Sequence, residues 1–181
     1  AERDPGDVGA GDLQMVEHVK PVYSLLSDLG FRTTKAVWPI EGKDTPKMGG
    51  TTCEDKEYLE WVLDLKDKGF EIALHNVTYH TSTREETRQG LEVFYRLFGH
   101  YPYSMANHTG CDEGIYWGNA RLSGMQKAVY DLLHLNRRKV VHQGHLETSP
   151  LFWGDLCRDH IKYVRNFSYG DINTFKVCLL M

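Results

Sequence analysis

In the stretch MVEHVKPVYSLLSDLG (15–30), Val16, Val19, Val22, Leu25, Leu26 and Leu29 fall at helical spacing, with Pro21 tolerable near the first turn and Gly30 as a stop. FRTTKAVW (31–38) is rich in β-branched and aromatic residues and is closed by Pro39, which predicts a strand. After the loop GKDTPKMGG, the segment CEDKEYLEWVLDLKDKG (53–69) sets Tyr58, Leu59, Val62, Leu63 and Leu65 on one helical face. Its acidic start, late lysines and Gly69 mark the two ends. Glu71, Ile72, Ala73 and Leu74 alternate as a short half-buried strand does, and Ser82 with Glu85 three residues on reads as a capping box.

The helix so opened runs from about Thr83 to Phe98, with Leu91, Phe94, Tyr95 and Phe98 inward and Gly99 as its stop. YSMANH (103–108) reads as a strand. LSGMQKAVYDLLHLN (122–136) is helical, with Leu122, Met125, Val129, Leu132 and Leu133 inward. LFWGDLCRD (151–159) reads as a short helix, and IKYVRNF and TFKVCLLM as late strands.

Strands that alternate with helices imply parallel pairing through right-handed crossovers, in an open α/β sheet or a barrel. No glycine fingerprint of a dinucleotide site follows any strand, so the barrel is favoured. Both ends read as cut, because no strand precedes the first helix and Met181 ends an apolar run. The expectation is one α/β domain over 1–181, a fragment of an irregular (β/α) barrel.

Composition narrows the partners. Of 181 residues, 41% are hydrophobic and 25% charged, which is ordinary for a globular chain. A net charge of -4 offers no basic footprint for nucleic acid. No apolar run approaches the roughly 20 residues of a membrane span, so the chain reads as soluble with no membrane partner. Cys53, Cys111, Cys157 and Cys178 show no CxxC pairing, and read as reduced residues rather than as a disulfide framework or cysteine zinc site.

In a βα barrel the carboxyl ends of the strands line the active face, and His75, Asn107, His108 and Asn166 all fall at such ends. Imidazole binds Zn, Ni and Fe, and two histidines with a carboxylate hold a divalent ion while leaving positions open for water and substrate. His75 and His80 read equally as helix-capping or loop-satisfying residues, and Asn107 and His108 as loop residues. His145 and Glu147 form a possible acid–base pair or a solvated one. Tyr116, Trp117, Phe152 and Trp153 lie in polar loops, where rings facing a cleft suit the apolar faces of sugars and core packing is the alternative.

The order of strand, histidine-bearing loop and capped helix, with GFEIALHNVTYH (69–80), resembles the polysaccharide deacetylases of the nodulation-protein type, a carbohydrate-esterase family. Their second motif has the form H-[ST]-x-x-H, and here His75 and His80 are five apart where that pattern has four. ERDPGDVG (2–9) occupies the place of the first motif, without its adjacent aspartate pair. HYPYSMANHTG (100–110) occupies the place of the third, without its arginine. The resemblance implies an irregular (β/α) barrel of the glycoside hydrolase/deacetylase type, with His75, His80 and Asp7 on a divalent metal ion, Zn or else Ni or Co. It implies Asp4 or Asp7 as the base. It also places Asn107 and His108 at the third motif, for catalysis or substrate binding; Tyr116, Trp117 and His145, from their own loops, are the further candidates to meet a carbohydrate substrate.

The expected function is therefore metal-dependent removal of acyl groups from N-acetylated sugars of a polysaccharide. A non-catalytic carbohydrate-binding barrel, or another metallohydrolase acting on a small amide substrate, are the alternatives.

Overall fold

The computed structural model describes residues 16–43, 50–108, 110–116, 123–133 and 142–165. Its elements run α1 (Val16–Asp28), β1 (Thr34–Val37), α2 (Lys56–Asp67), β2 (Glu71–Leu74), α3 (Arg84–Phe98), β3 (Ser104–Ala106), α4 (Gly124–Leu133), α5 (Gly154–His160) and β4 (Tyr163–Arg165). The four strands form one sheet in the order β1-β2-β3-β4, and every neighbouring pair is parallel. The chain is thus α/β. The expected strand over TFKVCLLM lies outside the described residues.

Parallel strands need crossovers, and helices supply them by packing on the sheet, so the inner strands are buried on both faces. This corrects the expectation of a half-buried strand at 71–74: Ile72, Ala73 and Leu74 are all buried, and only Glu71 is exposed. The alternation there is too short to show that a second face is covered.

Helix α2 begins at Asp55, whose side chain accepts from the Tyr58 N–H, and buries Tyr58, Trp61, Val62 and Leu65. Helix α3 carries the capping box one residue later than expected. Thr83 and Glu86 form it, because Ser82 is buried and bonds Thr78 Oγ1 and the His80 carbonyl instead. Gly99 ends α3 in the left-handed conformation at φ 78, which suits a residue without a Cβ. Thr87, Gly90, Leu91, Phe94 and Phe98 are buried on its inner face, each large apolar side chain worth about 2 kcal/mol of burial. Tyr95 is turned outward, its ring tilted against Tyr101.

Two apolar stripes lie differently from expectation. On α1, Val19, Tyr23 and Leu26 meet the core while Val22 and Leu25, and Leu29 just past its end, are exposed. Tyr23 decides the face: its ring meets Trp61 and Phe70 edge-on, each at 5.6 Å, and its hydroxyl donates to the Thr34 carbonyl. On α4, Met125, Val129 and Leu132 are exposed. A 3.6-residue period reveals an apolar stripe but not what covers it.

The core between sheet and helices is formed by Val37, Tyr58, Val62, Ile72, Leu74, Leu91, Phe94, Met105 and Ile115, extended by Trp153 and Ile161. No helix among the described residues is long and apolar enough to cross a membrane.

Candidate functional site

Register decides which side chains meet at the carboxyl end of the sheet. Val37 pairs with Leu74 and Leu74 with Met105, so the residues that follow, Trp38, His75 and Asn107–His108, emerge side by side from β1, β2 and β3. The ladder continues one step past β2, where the His75 N–H donates to the Val37 carbonyl at 2.8 Å. Trp38, 1% exposed, lies flat on His75 with ring centroids 4.9 Å apart, and meets His108 edge-on at 5.1 Å. His75 Nε2 and His108 Nδ1 are 3.2 Å apart.

Burial, with the neighbouring His108 second, lowers the His75 pKa to about 3, so the imidazole is neutral at physiological pH. Its Nδ1 has no hydrogen-bond partner among the described residues.

Beside the pair, Asn76 takes φ 51, a left-handed conformation uncommon for a residue with a side chain. Its Oδ1 accepts from the His108 N–H at 2.9 Å, and its Nδ2 donates to Glu113 Oε1 at 2.7 Å. Glu113 is 1% exposed. Burial raises its pKa to about 7 against the opposing hydrogen bond from Asn76 and backbone N–H groups of Glu113 and Ser82.

His80 stacks on Tyr79 at 4.9 Å, and Tyr79 in turn meets Trp38 edge-on at 5.8 Å; the His80 N–H donates to Thr78 Oγ1. It lines an adjoining cleft of about 380 Å³ with Glu41, Glu54, Ser82, Glu86 and Gln89. Asn107 spends its amide on the chain itself, accepting from the Ile115 N–H and donating to the Ile115 carbonyl. Tyr116 and His145 do meet: the Tyr116 N–H donates to His145 Nδ1, and the rings are 5.6 Å apart. Glu147 is exposed. Trp153 is core, 1% exposed, with Nε1 donating to the Glu113 carbonyl, and Phe152 lies under the Arg84 guanidinium. Asp4, Asp7, Trp117 and Asn166 lie outside the described residues.

Three residues of the site, Trp38, Asn76 and Glu113, escaped sequence reasoning. Trp38 closes a strand and reads as core, and Glu113 sits in the polar run TGCDEG, where an acidic residue reads as solvated. The signal available for Trp38 was its place, one residue past a strand facing another strand that ends in histidine.

A larger cleft, about 880 Å³, opens at the amino ends of the strands. Several of its polar groups already serve the fold. Glu71 accepts from both Thr34 and Ser104 hydroxyls, and His160 stacks on Tyr101 at 3.8 Å. The carboxyl-end cluster is the better candidate because its ring nitrogens converge on one another rather than on the scaffold.

As a metal site, the His75–His108 pair fits in part. Two nitrogens bound to one tetrahedral ion at about 2.0–2.1 Å stand roughly 3.3 Å apart; the 3.2 Å between these two is a ring-to-ring hydrogen bond, which an ion would have to replace. Among the described residues no group of three or more histidine, cysteine, aspartate or glutamate side chains is arranged to hold a metal ion. No family model, no curated protein and no solved structure matches this chain.

Proposed function

We propose that this chain is a metal-dependent hydrolase of the polysaccharide deacetylase class, removing acyl groups from N-acetylated sugars, with β1–β4 as consecutive staves of an irregular (β/α) barrel. The observation that supports this reading is the approach of His75 Nε2 to His108 Nδ1 within 3.2 Å at the carboxyl ends of adjacent parallel strands.

The residues that would hold a divalent ion, Zn or else Ni or Co, are His75 and His108, with Asp7 as the carboxylate. Such an ion, when bound, supplies a lowered pKa for water and polarisation of an amide carbonyl. The geometry favours His108 over His80 as the second nitrogen, because His80 is held on Tyr79 and faces the adjoining cleft. Trp38 covers one face of the His75 ring and keeps bulk water from it. Asp4 or Asp7 accepts the proton of the attacking water, a role worth about 100- to 10,000-fold in rate. Tyr116 and His145 present joined rings to the sugar.

Acetate release from acetylated chitooligosaccharides, measured with bound metal on wild type, His75→Ala, His108→Ala and His80→Ala, tests the reading. Loss of metal and of acetate release in the first two variants supports it. Oligosaccharide binding by wild type with no acetate released would replace it with a carbohydrate-binding barrel.

A further inference from the structure

Asn76 follows His75 directly and uses both ends of its amide on buried partners. Its Oδ1 receives the His108 N–H and its Nδ2 reaches Glu113 Oε1. The two contacts fix the amide's orientation, since rotating it by half a turn would set NH₂ against N–H and oxygen against carboxylate. The carboxylate and the His108 N–H together determine which way the Asn76 amide faces. A left-handed residue of this kind persists only where its surroundings hold it, and here Asn76 is 2% exposed and bonded at both ends of its amide.

Glu113 is itself fixed from the far side. The Trp153 Nε1–H donates to its carbonyl at 2.8 Å, and Gly144 lies so close that a Cβ there would stand 2.0 Å from that same oxygen. Beyond the Asn76 bond, the backbone N–H groups of Glu113 and Ser82 also face its carboxylate. Asn107 already secures this loop, through both polar atoms of Ile115.

We propose that Glu113, acting through Asn76, is a positioning residue that sets the His108 imidazole against His75. This deepens the hydrolase reading, since it assigns the support of that same histidine pair. The contact between Glu113 and the pair runs through the Asn76 amide.

The test uses the full 181-residue chain with ¹⁵N-labelled histidine, reading the imidazole nitrogen signals of His75 and His108. Glu113→Leu removes the acceptor at similar volume, and Glu113→Gln returns an acceptor oxygen without charge. Asn76→Gly removes the amide at a φ of 51 that glycine tolerates, so this variant carries no backbone strain there. The expected result is loss of the paired imidazole signature in Glu113→Leu and Asn76→Gly and its return in Glu113→Gln. Acetate release should fall roughly 10- to 100-fold in the first two, in kcat rather than KM. A folded Asn76→Gly chain that keeps the wild-type imidazole signals overturns the proposal. Absence of acetate release from every chain, wild type included, overturns the hydrolase reading instead, while the spectra still decide the role of Glu113.

Discussion

The indole of Trp38 lies parallel to the imidazole of His75, with planes 14° apart and centroids separated by 4.9 Å. The two residues follow paired positions of β1 and β2, so the stack extends the strand register by one step beyond the last ladder pair. An aromatic pair of this geometry contributes about 0.5–1.5 kcal/mol beyond its burial. It also fixes the plane in which the His75 nitrogens lie.

Trp38→Ala should destabilise the chain by about 3–5 kcal/mol, the usual cost of emptying a large core site. Trp38→Phe, which keeps a ring over His75, should cost less than half of that. Urea unfolding gives both values. The histidine signals should shift in both variants, because the ring current over His75 changes. Equal stability of Trp38→Ala and wild type would mean that the stack contributes nothing.

Gly42 and His80 make a second test. A Cβ on Gly42 would stand 1.6 Å from His80 Cε1, so Gly42→Ala must push the imidazole out of its place over Tyr79. In wild type the expected cost is about 1–3 kcal/mol, as for other overpacked sites. In a His80→Ala background the same change should be near neutral, since the opposing ring is gone. A double-mutant cycle by thermal or urea unfolding measures the difference. Additivity of the two changes would sink the contact.

How far this site was legible from sequence depends on the range of the signals. Glycine stops at Gly69 and Gly99 and the apolar runs around Leu74 and Phe94 act within a few residues, and they placed strands and helices close to where they lie. The same local signals put His75 and His108 at strand ends. What they cannot carry is pairing across the sheet: that His75 meets His108, 33 residues away, rather than His80 follows from register. The capping box slipped by one residue because Ser82 and Thr83 are equivalent as letters and differ only in burial. Glu113 was invisible for the same reason, since its value comes from Asn76, 37 residues earlier.

Burial of the described cysteines gives a chemical prediction. Cys53, Cys111 and Cys157 are free and buried, and burial pushes the thiols of Cys53 and Cys157 up to about 12 and that of Cys111 up as well. A buried thiol is a poor nucleophile because the thiolate is scarce. In native buffer these three should react with a thiol-specific disulfide reagent no faster than the chain unfolds, and all should react promptly in urea. Mass mapping of labelled peptides identifies them. Rapid native labelling of any of the three would contradict the packing around it.

Lys35 provides the pH dependence. It is 3% exposed on β1, with its ammonium over the rings of Tyr58 at 5.6 Å and Trp61 at 5.8 Å. Burial lowers its pKa from 10.5 to about 8, and Cys53 opposes the shift. The sign follows from proton binding. Below pH 8 both states hold the proton, and the fold bears the whole cost of a buried charge. Between about 8 and 10.5 the unfolded chain holds the proton and the folded one does not, so this group makes stability rise with pH. Lys35→Met removes the titration and also the contact with the two rings, worth roughly 0.5–2 kcal/mol. The absolute difference at pH 7 is therefore a sum of opposing effects, but its pH slope is not. Relative to wild type, Lys35→Met should lose advantage as pH rises from 8 to 10, by at most about 1.4 kcal/mol per pH unit. Cys53 and Tyr58 titrate in both chains, and their direct contributions largely cancel in the difference. Urea unfolding of the two chains at pH 7, 8, 9 and 10 measures it. A difference that stays flat over that range would show that Lys35 keeps an ordinary pKa in the fold, and that its ammonium reaches water.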